Sequence, residues 1–283
     1  METSRAMLNE QLLRRSIRSR GLARLGLALS MLASPSLQSC SPSESGIDSR
    51  RARVESEVLR LGAGHAWAGT YYRGDGLGRN EHLSLAPNAG YQYANHGCLG
   101  LYGEEHGTVE LADGKLVLHP GNLFPENGLG REFRIVDWGE RRYLVEPGEM
   151  LSFVNKVNQL RFSEDEILGP LADRRFYLRT SDREKPRVGL PILPPEFARL
   201  LLAKRIEGHV TAVDGEQLEV DLGSADGAFE GMELELWGAA PHGFGTLTLR
   251  AVTEHSSRGS VEYLDSYSAK PALGWTACSS SGD

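Results

Sequence analysis

Trp67-Ala68-Gly69-Thr70-Tyr71-Tyr72, His82-Leu83-Ser84-Leu85 and Gly90-Tyr91-Gln92-Tyr93 are three short runs in which apolar and polar side chains alternate. Successive side chains leave a strand on opposite faces, so this alternation marks strands with one face buried. The pattern continues in Cys98-Leu99-Gly100-Leu101-Tyr102, Thr108-Val109-Glu110-Leu111 and Lys115-Leu116-Val117-Leu118-His119. Phe133-Arg134-Ile135-Val136-Asp137-Trp138 and Arg142-Tyr143-Leu144-Val145 bring the series to eight. Many of the 33 glycines sit in turn pairs between the runs, among them Asp75-Gly76, Asp113-Gly114 and Asn127-Gly128. Such pairs supply the positive φ angles that tight hairpins need. Eight closely spaced strands predict an antiparallel meander that closes into a barrel or a strongly curved sheet.

The period changes after Pro147. Met150, Leu151, Phe153, Val154 and Val157 fall at helical spacing and predict one amphipathic helix near 148–160. Phe176-Tyr177-Leu178-Arg179 reads as one further strand, closing a first module at 65–181. Residues 182–204 form a linker with Pro186, Pro191, Pro194 and Pro195, and a short helix begins beyond Pro195. A second β-module spans 205–278, with strands at Gly208–Val213, Leu218–Gly223, Glu233–Trp237, Gly245–Val252 and Ser260–Tyr263, and a tail at 279–283. The expected fold class is mainly β, with two barrel-like modules and one or two amphipathic helices.

Residues 1–24 carry six arginines against Glu2 and Glu10, and an apolar run from Leu25 to Ala33 follows. A positive head, a short apolar core and small residues are the parts of a secretory signal. The run is too short to cross a bilayer, which takes roughly 20 residues. Residues 1–39 therefore read as a signal peptide and 40–64 as a tether. Setting aside the charges of residues 1–24, the 31 basic and 38 acidic residues become 25 and 36, a net charge near −11. So acidic a chain, with no basic cluster, argues against a nucleic-acid partner. Cys98 and Cys278 lie in different modules and are expected as two buried thiols rather than a bridge.

Leu37-Gln38-Ser39-Cys40 resembles a bacterial lipobox, with Gln38 departing from the usual small residue. The resemblance implies lipidation of Cys40 and a membrane partner reached through that anchor; ordinary cleavage after Ala33 or Ser39 is the alternative. The segment Leu222–Met232 resembles a motif of small SH3-like barrels in bacterial envelope proteins, such as the C-terminal domain of the flagellar assembly protein T. In it a strand ends in Gly223, Asp226-Gly227 turns, and Gly231-Met232 opens the next strand. That likeness implies an SH3-like second module and says little of function. Trp67 two residues before Gly69 is similar to the opening of lipocalin-like barrels, which implies a shape for the first module.

Gly74-Asp75-Gly76-Leu77-Gly78-Arg79 approaches the dinucleotide fingerprint, but Arg79 takes the place of the last glycine and a strand follows. No helix N-terminus is then available to hold a pyrophosphate, so the segment reads as a turn. Gly223-Ser224-Ala225-Asp226-Gly227 lacks the central serine of a nucleophile elbow. His96-x-Cys98 is the nearest approach to zinc-ligand spacing, and no second cysteine or close histidine pair supports it. Ser163-Glu164-Asp165-Glu166 reads as a solvated loop. Trp67, Tyr71, Tyr72, Tyr91, Tyr93 and Tyr102 read either as core or as the lining of a ligand cavity. Candidate ligand-binding residues are thus Tyr72, Asp75, His96, Cys98 and Tyr102; no catalytic residue, metal ligand or cofactor is assigned. The expected function is a non-enzymatic lipoprotein of the cell envelope or periplasm, binding an envelope protein or a small apolar or extended ligand. The alternative is an envelope enzyme that acts on a glycan or lipid through a site in the first module.

Overall fold

The computed structural model describes residues 44–121, 128–162, 174–238, 245–263 and 270–280. Cys40, Asn127 and the acidic run 163–166 lie outside the described residues. From Pro42 to Asp283 the chain forms one compact unit.

The first eight strands are β1 (Gly69–Gly74), β2 (Asn80–Ala86), β3 (Gly90–Gly97), β4 (Gly100–Ala112), β5 (Lys115–Pro120), β6 (Glu132–Trp138), β7 (Arg141–Val145) and β8 (Tyr177–Arg179). They pair antiparallel in sequence order, and β8 returns to β1 at Tyr71↔Arg179 and Tyr72↔Leu178, closing the barrel. Alternation decides which side chains enter. Tyr71, Leu83 and Tyr93 stand side by side across three strands, and all three are fully buried. With Tyr91, Leu116, Phe133, Leu144 and Tyr177 they fill the interior as one apolar cluster. Eight strands enclose a space that side chains can just fill, and here they do. Trp67, Tyr71, Tyr91 and Tyr93 are therefore core, not cavity lining.

One strand departs from the sequence reading. The runs at 98–102 and 108–111 belong to a single long strand, β4, and Tyr177–Arg179 supplies the eighth. Gly107 explains the continuity: a Cβ there would collide with the His119 carbonyl and the Tyr91 ring. The glycine is a close-approach position within the strand, not a break. At the Asp113-Gly114 hairpin both residues have positive φ (51° and 73°), the geometry a two-residue turn of this twist requires.

Two helices pack outside this barrel. The region read as a tether is helical over α1 (Glu44–Leu61), which covers β2 and β3 and buries Val54. Polarity concealed it. Its anchor is the Glu57 carboxylate, which accepts the amides of Asn88 (3.2 Å) and Ala89 (2.7 Å) in the β2–β3 turn. The expected amphipathic helix is α2 (Met150–Phe162), whose Met150, Phe153, Val154 and Val157 are buried. Most of that face packs with Val136, Trp138, Tyr143, Val145, Phe176 and Leu178 on the barrel's outer wall.

The linker is bonded down. Trp138 Nε1 donates to Gly189 O (3.0 Å), and Ile192 N donates to Asp137 O (2.8 Å). It leads through the short α3 (Pro195–Ala198) into β9 (Glu207–Asp214), β10 (Gln217–Val220), β11 (Glu233–Trp237), β12 (Gly245–Val252), β13 (Ser257–Tyr263) and β14 (Thr276–Cys278). These six close into a second barrel in the order β10-β13-β12-β11-β14-β9, around Val210, Leu218, Leu234, Leu236, Leu247 and Leu249. Ser279 and Ser280, read as tail, are buried. Ser279 N donates to Ile206 O (3.0 Å) and its hydroxyl accepts from Ile206 N (3.2 Å), which seals the last strand against the first.

The polar face of α2, which amphipathicity assigns to solvent, joins the two barrels. Asn155 Nδ2 donates to Gly231 O (2.8 Å). Asn158 donates to Leu200 O (3.0 Å) and accepts from Leu202 N (2.9 Å), and Arg161 donates to Leu202 O (2.7 Å).

Candidate ligand-binding site

The outer wall where β8 closes onto β1 carries a pocket of about 350 Å3 lined by Thr70, Tyr72, Gly74, His82, Arg174, Leu178, Thr180 and Arg183. Strand period places it there. Tyr71 and Leu83 point inward, so their neighbours Tyr72 and His82, paired across the sheet, point outward. Their ring centroids lie 5.0 Å apart, and the Tyr72 hydroxyl donates to Asn80 Oδ1. Asn80 Oδ1 also accepts Gly76 N (2.8 Å), which ties the tyrosine to the β1–β2 loop. The Arg183 guanidinium lies 5.9 Å from the Tyr72 ring centroid. Desolvation by the surrounding walls, helped by His96 and Arg51, holds the His82 imidazole below its ordinary pKa.

Among the described residues, the site therefore combines an aromatic face, a leucine and two guanidiniums, with no carboxylate in its lining. Chemically it suits an anion carrying an apolar group. Tyr72 is the only candidate read from the sequence that lines it. His96 stands beside it, its ring 6.0 Å from that of His82. Asp75, Cys98 and Tyr102 lie elsewhere, at the adjoining end of the barrel. The Asp75 carboxylate accepts Leu77 N (2.8 Å) and Gly78 N (2.6 Å), and these amides hold its pKa below the ordinary carboxylate value. It shapes its own loop.

Cys98 is exposed, against the expectation of a buried thiol; only Cys278 is buried. Cys98 and Leu99 form the two-residue turn between β3 and β4, so Cys98 is not a strand residue. Its thiol donates to Leu77 O (3.0 Å). The Tyr102 ring covers Gly97, where a Cβ would collide with it.

Sequence reasoning missed His82, Arg174, Leu178 and Arg183. The Tyr72↔His82 register was a usable signal, because both are the outward members of strands with known inward partners. The arginines were hidden, since they reach the site only because β8 pairs with β1.

A second polar constellation fills one end of the first barrel. Glu81 is buried and accepts from Arg73 (Nη2, 2.9 Å), from Arg79 (Nε, 2.6 Å) and from the Tyr177 hydroxyl. The Arg73 Cζ sits 4.4 Å from the Tyr177 ring centroid, and its Nη1 reaches Glu146 (3.5 Å) and Glu149 (3.7 Å). Glu105, equally buried, accepts from the Tyr91 hydroxyl and from Arg131. Burial is the main force raising the Tyr91 and Tyr177 pKa values, so both phenols remain neutral donors. Burial and the nearby Glu149 raise that of Glu146.

Among the described residues no cluster of histidine, cysteine, aspartate or glutamate could hold a metal ion, and no helix is long and apolar enough to cross a membrane. No protein-family model, curated protein or solved structure matches the chain.

Proposed function

We propose that the chain is a non-catalytic binding protein of a bacterial cell envelope, held to a membrane by a lipid on Cys40, and that the Tyr72–Arg183 pocket takes a small anionic ligand with an apolar group. The observation that carries the reading is the lining. Arg174, Arg183 and His82 stand around the apolar surfaces of Tyr72 and Leu178, and the described residues that line the pocket include no carboxylate. A volume of about 350 Å3 lies at the small end of the range that binds small molecules, roughly 300–1,000 Å3. Guanidinium groups favour carboxylate and phosphate oxygens because their planar forks match them.

The alternative of an envelope enzyme in the first barrel is less well supported. A catalytic carboxylate has to be free to exchange protons or attack. Glu81 and Glu105 are each occupied by an arginine and a tyrosine. The second barrel, by its resemblance to SH3-like domains, serves for protein contacts in this reading.

Phenyl phosphate is the minimal probe, joining an aromatic group to a dianion. Calorimetric titration should detect binding that weakens about tenfold or more in Arg183→Ala and in Tyr72→Leu. No heat at millimolar probe, or binding indifferent to both substitutions, would sink the pocket assignment. Mass spectrometry of the native protein tests the anchor separately: an unmodified N-terminus anywhere but a lipidated Cys40 removes it.

A further inference from the structure

The end of the first barrel beside this pocket carries an apolar tip. Leu99, at the apex of the β3–β4 turn, is 91% exposed, and Leu77 in the β1–β2 loop is 80% exposed. Leu101 and Tyr102 are more than half exposed. The Cys98 thiol, bonded to Leu77 O, joins the two loops into one surface. Scattered exposed leucines need no explanation, but four exposed apolar side chains on two bonded loops do.

The course of α1 indicates what meets it. Glu57, near its C-terminus, is bonded at the Asn88 turn, the far end of β2 and β3 from the tip. Seven residues earlier, the Arg50 guanidinium lies against Gly121, whose amide donates to His106 O midway along β4 and so nearer the tip. The helix therefore runs back toward the tip's end of the barrel, with Arg50, Arg51 and Arg53 exposed along it. Cys40 precedes Glu44 by four residues, at most about 14 Å of chain. A lipid on Cys40 would then hold the bilayer surface near that end.

We propose that Leu77, Leu99, Leu101 and Tyr102 form a membrane-contacting tip that enters the interface of the bilayer holding the anchor, so that the first barrel stands on the membrane with its β1–β2 and β3–β4 loops down. A tyrosine at the rim suits this, since its ring is apolar and its hydroxyl stays hydrated. Arg79 and Arg174, near the same end, can meet headgroup phosphates. The proposal rests on the anchor reading for its orientation, and the test separates the two.

Residues 41–283 contain the compact unit and only two cysteines, of which Cys98 is exposed. An N-terminal histidine tag can hold this fragment on phosphatidylcholine–phosphatidylglycerol vesicles that contain a nickel-chelating lipid, whatever happens at Cys40. An environment-sensitive nitrobenzoxadiazole label on Cys98 should shift to shorter wavelength on the vesicles and be quenched by doxyl-labelled lipid. The same label at Thr211→Cys, on the second barrel in a Cys98→Ser background, should do neither. Without the tag, Leu77→Glu and Leu99→Glu should each lower vesicle partition about tenfold. Because both leucines are exposed, neither substitution should change the melting temperature. Water-like emission from the tethered Cys98 label overturns the proposal, as does a Cys98 shift that appears without vesicles and follows protein concentration, which would identify a second copy as the partner. A full chain with an unmodified Cys40 overturns the anchor, and the emission of the tethered label then decides the tip by itself.

Discussion

Replacing Arg73 with leucine removes one guanidinium from the first barrel and keeps most of its apolar stem. The Arg73 side chain is 15% exposed and that of Glu81 is 3%. Nη2 and Nε lie 2.9 and 3.3 Å from the same Glu81 oxygen. Removing one partner of a buried ion pair costs about 3–5 kcal/mol, because the remaining charge is left uncompensated in a poorly hydrated place. Arg79 remains beside Glu81, but its side chain is 55% exposed, and water screens its attraction. The Tyr177 hydroxyl also remains, which argues for the lower end, about 3 kcal/mol. At about 2–4 °C per kcal/mol for a unit of this size, the melting temperature should fall by about 6–12 °C. Urea denaturation at neutral pH, followed by tryptophan fluorescence, measures the loss directly. A double-mutant cycle with Glu81→Leu should return a coupling energy of at least about 2 kcal/mol, since the second substitution removes the carboxylate that the first leaves uncompensated. The losses at Arg79 and Tyr177 occur with and without Arg73 and cancel in the cycle. A loss below about 1 kcal/mol for Arg73→Leu, or strict additivity in the cycle, would refute the reasoning by showing that the network is hydrated.

Three further outcomes follow from the same geometry. Thiol reagents should modify Cys98 in the folded protein while sparing Cys278, and Cys98→Ser should change stability by no more than about 0.5 kcal/mol; equal labelling rates for the two thiols would contradict the assigned burial. Asn158→Ala should cost about 2–3 kcal/mol in denaturant titration, because it strands the Leu202 amide and the Leu200 carbonyl between α2 and the second barrel. His82 has a lowered pKa in the folded state, so the unfolded chain takes its proton first as pH falls, and its effect on stability sets in as a loss below about pH 6.5. His82→Ala should flatten that part of the stability curve, and benzenesulfonate, whose charge is constant over this range, should bind the unmodified protein more tightly at pH 5.5 than at pH 7.5, with proton uptake; the opposite pH trend would exclude His82 from the pocket.

The strand runs, most of the turns, the α2 helix and the division into two β-modules were legible in the amino-acid sequence. Each rests on near-neighbour chemistry: alternation over a few residues, a glycine where φ must be positive, apolar side chains every third or fourth position. Helix α1 was not legible, because it buries little beyond Val54 and is held by Glu57 reaching turn amides 31 and 32 residues away. Cys98 was misplaced for a related reason. Glycines flank it on both sides, and only the Gly97↔Gly100 register shows that they bracket a turn apex. The Gly107 position, the burial of Glu81 and Glu105, and the closure of β8 onto β1 were decided by tertiary structure, as was the pocket that this closure creates. Composition and periodicity determine which face of a strand is wet; only the closing of the barrel determines which distant arginine, tyrosine and histidine then share that face.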